Sequence, residues 1–183
     1  MENSAAVPDG QRAGRDRKGK SSKGTFKQRG ELAEMALTFK AAGLGFGVAK
    51  PYGDSESYDF ILDSGVRLWR VQVKSNYGPR THAYYVNACG GGVAGEKKAY
   101  TAKQIDILVA FIVADNAWYV VPVKAFAPRR NLHFYPSGSK TGGIYEQYRE
   151  AWDLLRPKTR RRTKERSVAA EGLVKLSQPP GDL

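Results

Sequence analysis

Apolar positions along the chain change period, and the changes mark out its elements. Leu32, Met35, Ala36 and Phe39 recur at spacings of three and four, which predicts an amphipathic helix with Gly43 as its C-cap. Past Pro51 the period falls to two. Residues 58–62 predict one arm of a β-hairpin, Asp63-Ser64-Gly65 its turn, and residues 66–74 the second arm. On that arm Leu68, Trp69, Val71 and Val73 carry the apolar bulk, while Arg70, Gln72 and Lys74 share the opposite face. Further strands are predicted at 83–88, 105–113 and 118–123. The last two are rich in β-branched and aromatic residues and are joined at Asp115-Asn116. Residues 90–95 read as a flexible glycine loop. A closing helix is predicted over 144–155, with Tyr145, Tyr148, Trp152 and Leu155 along one stripe and Pro157 as its stop.

The predicted order is helix, about five strands, helix, without internal repeats. A chain of 183 residues allows one domain with tails. Residues 26–155 read as that domain, long enough to bury a core.

Charge sharpens the boundaries. The net charge is +12, yet residues 1–29 hold eight Lys/Arg against three acids, and residues 156–183 hold the same numbers. The stretch between them is close to neutral. Segments 1–25 and 156–183 therefore read as disordered basic arms, suited to phosphate backbones through salt-dependent contacts or serving solubility alone. A single cysteine excludes a disulfide framework, and two histidines cannot supply a multi-His metal centre. The longest apolar run, 107–114, is far too short to cross a bilayer. The polar opening shows no signal-peptide pattern, so a cytoplasmic setting without membrane contact is expected.

The candidate chemistry lies in the first half of the domain. Glu31 and Glu34 stand one turn apart on the first helix, Asp59 on the first hairpin arm, and Gln72 and Lys74 on the second. The words around them are "KQRGELAE", "PYGDSESYDF" and "RVQVKS". This pattern resembles the PD-(D/E)XK nuclease superfamily, and within it the branch of group I intron-encoded endonucleases in which glutamine replaces the second acid. The likeness runs from about Lys27 to Ser75 and continues more weakly through "IDILVAF" and "WYVVPV".

The resemblance implies an α/β, restriction-endonuclease-like fold: a mixed central sheet flanked by helices. It implies a Mg²⁺-dependent (or Mn²⁺-dependent) DNA endonuclease. Asp59 matches the metal-binding aspartate, Gln72 the second acid, Lys74 the lysine, and Glu34, less closely Glu31, the helix-one glutamate. The Val73 carbonyl would be a further metal oxygen. The amide of Gln72 is a weaker ligand for a hard cation than a carboxylate. A catalytically weak or inactive DNA-binding module on the same fold is therefore the alternative, and a basic RNA- or ribosome-associated protein a third. Cutting both strands needs two sites, so a homo-oligomer is a further expectation.

Turn length decides whether the hairpin can assemble this site. With a two-residue turn at Ser64-Gly65, Asp59 lies opposite Arg70 and diagonal to Gln72, roughly 7–8 Å away on one face. With three residues in the turn, Asp59 flips to the other face. Taken singly, each residue has an ordinary reading, such as a solvated strand face or a helix-dipole partner.

Other motifs point elsewhere less well. The glycines of 90–95 lack a P-loop lysine, because Glu96 stands in its place, and 137–143 has no preceding strand. Cys89 reads as packed rather than nucleophilic. Tyr84, Tyr85 and Tyr100 could stack on bases, although packing is their commoner use. Tyr77, Arg80 and His82 follow the hairpin directly and are candidates for phosphate contact.

Overall fold

The computed structural model describes residues 25–156 except 54, 79–80, 92–95 and 139–141. Apart from Thr25 and Arg156, both expected basic arms lie outside the described residues. So do Arg80 and most of the glycine loop.

Helix α1 (Phe26–Gly43) starts with a reciprocal cap. Thr25 Oγ1 accepts the Gln28 N–H at 3.2 Å, and the Gln28 side chain accepts the Thr25 N–H at 2.7 Å. Its buried face is Ala33, Leu37 and Ala41, whereas Leu32, Met35 and Phe39 are exposed. The expected stripe is thus the outward one. Ala33 and Ala41 bring the helix close to a sheet that presents bulky Phe60, Leu62 and Val71, and Leu37 is the one large side chain of the buried face.

Gly43 is the last helical residue and not the left-handed stop. That role falls to Gly45, at φ +84°. The Gly45 N–H bonds the Ala42 carbonyl at 2.9 Å and the Phe46 N–H bonds that of Ala41 at 3.1 Å, closing the helix in a Schellman motif with Phe46 buried beside it.

Nine strands follow among the described residues: β1 (Gly47–Ala49), β2 (Phe60–Asp63), β3 (Leu68–Asn76), β4 (Tyr84–Asn87), β5 (Cys89–Gly91), β6 (Lys97–Ala99), β7 (Ile107–Ile112), β8 (Ala117–Pro122) and β9 (Asn131–Phe134). A one-turn helix α2 (Val123–Phe126) precedes β9. The central sheet has the order β1-β2-β3-β7-β8; β3 and β7 are parallel and the other neighbours antiparallel. The fold is α/β with a mixed central sheet. β4 pairs with β9, and β5 with β6, as separate ribbons. The glycine stretch therefore begins as strand, not as loop.

Strands β7 and β8 explain why their sequences are apolar throughout. Ile107, Val109, Phe111, Trp118 and Val120 face α1, and the Phe111 and Trp118 rings stack at 3.9 Å. Leu108, Ala110, Ile112, Tyr119 and Val121 face a second core built with Tyr84, Val86, Leu132 and Phe134. A strand buried on both sides has no polar face to alternate with. The face away from α1 is covered by the β4–β9 ribbon rather than by a second long helix.

Two expectations are corrected. The hairpin loop is neither two nor three residues but four, 64–67, with the Ser64 N–H bonded to the Arg67 carbonyl at 3.1 Å. The stretch 144–155 is not one helix. It forms two 3-10 turns, Glu146–Tyr148 and Trp152–Leu155. Between them Arg149 bridges Tyr119, and the Glu150 N–H bonds the Trp118 carbonyl at 2.8 Å. Bonding to the free edge of β8 pulls this segment out of the helix. Tyr145, Trp152 and Leu155 are buried all the same, so the stripe reported burial correctly and helix wrongly.

The two glycines at the end of α1 should respond oppositely to alanine. Neither has an atom within 4 Å of an added Cβ, so backbone conformation decides. Gly45→Ala should destabilise by about 1–2 kcal/mol, and Gly43→Ala should stabilise by up to about 1 kcal/mol. Urea unfolding midpoints measure both.

Candidate active site

The site arises because β3 outruns β2. Their ladder reaches only Phe60 opposite Val71, while β3 continues alongside β7 as far as Asn76. Residues 72–76 thus have a neighbouring strand on one side and a cavity of about 520 Å³ on the other. Its walls come from the first turns of α1 and from β4.

Glu34, Asp59, Gln72, Val73 and Lys74 all line this cavity. The four-residue loop achieves this: continuing the register by one step sets Asp59 level with Gln72. The Asp59 N–H bonds the Val71 carbonyl at 2.9 Å. Its carboxylate Oδ2 accepts the Val73 N–H at 2.8 Å and the Gln72 Nε2 amide at 2.5 Å. That amide also donates to the Val73 carbonyl at 3.3 Å. Gln72 is only 7% exposed.

Burial pushes the Asp59 carboxyl above the ordinary carboxylate range. The Val73 N–H and the Lys74 charge oppose the shift, while Glu34 adds to it. Burial likewise pulls Lys74 below the usual lysine value, partly offset by Asp59. The Lys74 ammonium stands 5.8 Å from the centre of the buried Tyr100 ring.

Glu34 forms an ion pair with Lys50 at 2.5 Å. Glu31 is not brought to the cavity. It lines a neighbouring groove with Met35 and Phe60 and faces Lys27 at 4.0 Å. Arg70 shares a strand face with Gln72 and Lys74 but is taken up by Asp106, at 3.1 Å to its side chain and 2.9 Å to its backbone N–H. It also bonds the Ala102 and Lys103 carbonyls. Burial alone would lift Asp106; bonds from Arg70, with the charges of Arg70 and Arg67, hold it low.

Several lining residues carried no recognisable signal in the sequence. Arg29 lines the cavity, 5.6 Å from the Phe26 ring centre and 5.8 Å from that of Tyr77. Asn76 donates to the Tyr85 carbonyl at 2.9 Å and accepts the Gly78 N–H at 2.8 Å. Lys97 shares an adjoining cavity with Lys74. Tyr77 and Tyr85 line the site, whereas Tyr84 and Tyr100 are core residues. His82 packs edge-on against Tyr135. Cys89 is buried, as its sequence context suggests.

The donor set fits a hard cation. One amide nitrogen of Gln72 fills the point shared by Asp59 Oδ2 and the Val73 carbonyl. Turning the amide over would present Oε1 there instead, making three oxygens around one position. Among the described residues no cluster of three or more His, Cys, Asp or Glu side chains could hold a metal ion, so carboxylate charge is limited to Asp59 and Glu34.

An ionised, partly buried Asp59 costs stability. Its folded pKa is raised, so its contribution is fully present below the unfolded pKa and is lost as pH rises through the folded pKa. Asp59→Asn should therefore raise Tm at pH 7. The gain should shrink as pH falls towards 3, which thermal melts across that range would show.

Comparison with known proteins sets this geometry in a family. No curated protein matches the chain. A solved structure of the bacterial homing endonuclease I-Ssp6803I is 30% identical, with a TM-score of 0.62, covering 72% of this chain and 93% of that one. The Holliday junction resolvase Hjc of the archaeal hyperthermophile Archaeoglobus fulgidus is 16% identical, with a TM-score of 0.39 over 64% of this chain and 87% of that one. The family model for PD-(D/E)XK endonuclease matches residues 25–155. The chain belongs to the PD-(D/E)XK endonuclease family.

Proposed function

We propose that this protein is a Mg²⁺-dependent endonuclease that hydrolyses phosphodiester bonds of DNA. The observation that carries the reading is the single position shared by Asp59, Gln72 and the Val73 carbonyl, with Glu34 and Lys74 on the same cavity. Likeness to a homing endonuclease over most of both chains supports DNA as the substrate.

Asp59, Gln72 Oε1 and the Val73 carbonyl would hold the cation, with Glu34 supplying the second negative charge. A Mg²⁺ ion (or Mn²⁺ in its place) held by these residues would polarise the phosphate and make water a better nucleophile. Lys74 keeps its ammonium beside the attacked phosphorus, where it orients the incoming water and offsets charge growing on the phosphoryl oxygens. Water adds to phosphorus, the bond to the leaving sugar oxygen breaks, and that oxygen takes a proton. Burial serves this arrangement, since a charge acts more strongly on phosphate where water is scarce. Arg29, which lines the same cavity, would meet a neighbouring phosphate of the same strand. One such site cuts one strand, so cleavage of both calls for two copies of the chain.

Supercoiled plasmid tests the reading. Wild type should nick it with Mg²⁺ or Mn²⁺ and not with EDTA. Asp59→Ala should abolish nicking while duplex binding persists. Lys74→Ala should leave Mg²⁺ affinity intact and slow cleavage by about 10²–10³-fold, a transition-state loss. Gln72→Glu should tighten Mg²⁺ in calorimetry without a matching gain in rate. A wild type that binds DNA and never cuts it in either ion would leave the binding-module reading standing.

A further inference from the structure

Beside the catalytic cavity the β4–β9 ribbon presents a face that the proposed chemistry does not use. The two strands pair Tyr85 with His133 and Asn87 with Asn131. All four side chains are exposed, while Tyr84, Val86, Leu132 and Phe134 anchor the other face in the core. The outward set is two amides, a phenol and an imidazole. Such groups suit base edges: an asparagine amide can donate and accept at once, matching the N6 and N7 positions of adenine.

Charge is arranged around this patch, not on it. Arg129 and Arg130, both exposed, immediately precede Asn131, and Arg130 is tied to the ribbon through its carbonyl, bonded by the Ala88 N–H at 2.7 Å. Cations at the end of a ribbon and neutral hydrogen-bonding groups along it divide the work of DNA recognition. Phosphate contacts set position and base contacts select sequence. A two-stranded antiparallel ribbon also has the width to enter the major groove.

The ribbon is fixed relative to the cutting site. Tyr85 and Asn87 line the catalytic cavity as well as the ribbon face, and Asn76 of β3 bonds the Tyr85 carbonyl at 2.9 Å. The last residue of the catalytic strand thus holds the ribbon in register with Gln72 and Lys74.

We infer that the outward face of β4–β9 is a sequence-reading surface, and that Asn87, Asn131, Tyr85 and His133 contact base edges in the major groove of duplex DNA next to the cleaved phosphate. Two outward positions on each strand are roughly 7 Å apart, about the rise of two base-pair steps at 3.4 Å each. The surface reads on the order of two base pairs. This inference rests on the DNA-cleavage reading for its substrate, yet it concerns selection and not chemistry.

The test separates the two. Full-length protein is used to select bound duplexes from a random-sequence pool without divalent ions, so that recovery does not depend on cutting. Nicking of plasmid in Mg²⁺ is scored in parallel. Wild type should enrich one or two base pairs within a window of about three. Asn131→Ala and His133→Ala, whose side chains lie outside the catalytic cavity, should flatten that preference by about tenfold. Their melting temperatures should stay close to wild type, and their Mg²⁺-dependent nicking of plasmid should persist. Asn131→Gln, which keeps the amide on a longer stem, should shift the preferred base rather than erase it.

Unchanged base preference in both alanine variants would overturn the inference, as would a wild type that binds duplexes with no preference at all. Base preference present in wild type and lost in the variants, with no nicking by the wild type, would support the reading surface and sink the nuclease. Equal loss of all DNA binding in a variant with an unchanged melting temperature would overturn sequence reading in favour of a backbone contact.

Discussion

Asp59 holds the site together through one oxygen. Where β2 runs out, its Oδ2 takes the Val73 N–H and the Gln72 amide, standing in for the ladder bonds that another strand residue would have made. A buried backbone N–H left unpaired at this step would cost about 1–3 kcal/mol. The carboxylate therefore closes the sheet and forms the cavity at the same time. A carboxyl raised by burial and opposed by Lys74 is what results. The residue cannot be read as structural or functional alone.

The same step depends on the double burial of β7. Because β7 is covered on both faces, it fixes the position of β3 from Val71 to Asn76, including the part that β2 does not reach. Asp106, just ahead of β7, locks Arg70 from its side chain and its backbone. Gln72 and Lys74 follow Arg70 at intervals of two, so their direction is set before anything enters the cavity. Such preorganisation lets fixed charges act on a phosphate without rearranging.

Much of this was legible in residues and periods. The positions of β3, β7 and β8 followed from alternation and from β-branched runs, and the four cavity residues followed from a resemblance carried by "ELAE", "YDF" and "QVK". What misled had specific physical causes. Leu32, Met35 and Phe39 keep helical spacing but face outward, since Ala33, Leu37 and Ala41 form the face of α1 that packs on the sheet. Hairpin register could not be read because Ser64, Gly65 and Arg67 suit loops of several lengths, and each added residue reverses the face of Asp59. The pull of the β8 edge on Arg149 and Glu150 is a long-range effect that no local pattern in 144–155 records.

Register also gives a physical sense to glutamine at position 72. In this buried corner a third carboxylate would sit against Asp59, already raised by burial and by the charge of Glu34. Without a cation, one of the two acids would have to hold a proton or turn away. An amide avoids that conflict. Its nitrogen satisfies Asp59 and the Val73 carbonyl together, and turned over, its oxygen would meet a cation in the proposed nuclease. The exchange would weaken the attraction for a cation by one charge, and it spares the ion-free fold a buried repulsion. Lys74 then faces fewer anions in its desolvated pocket, which in the proposed nuclease would leave more of its charge for the phosphate.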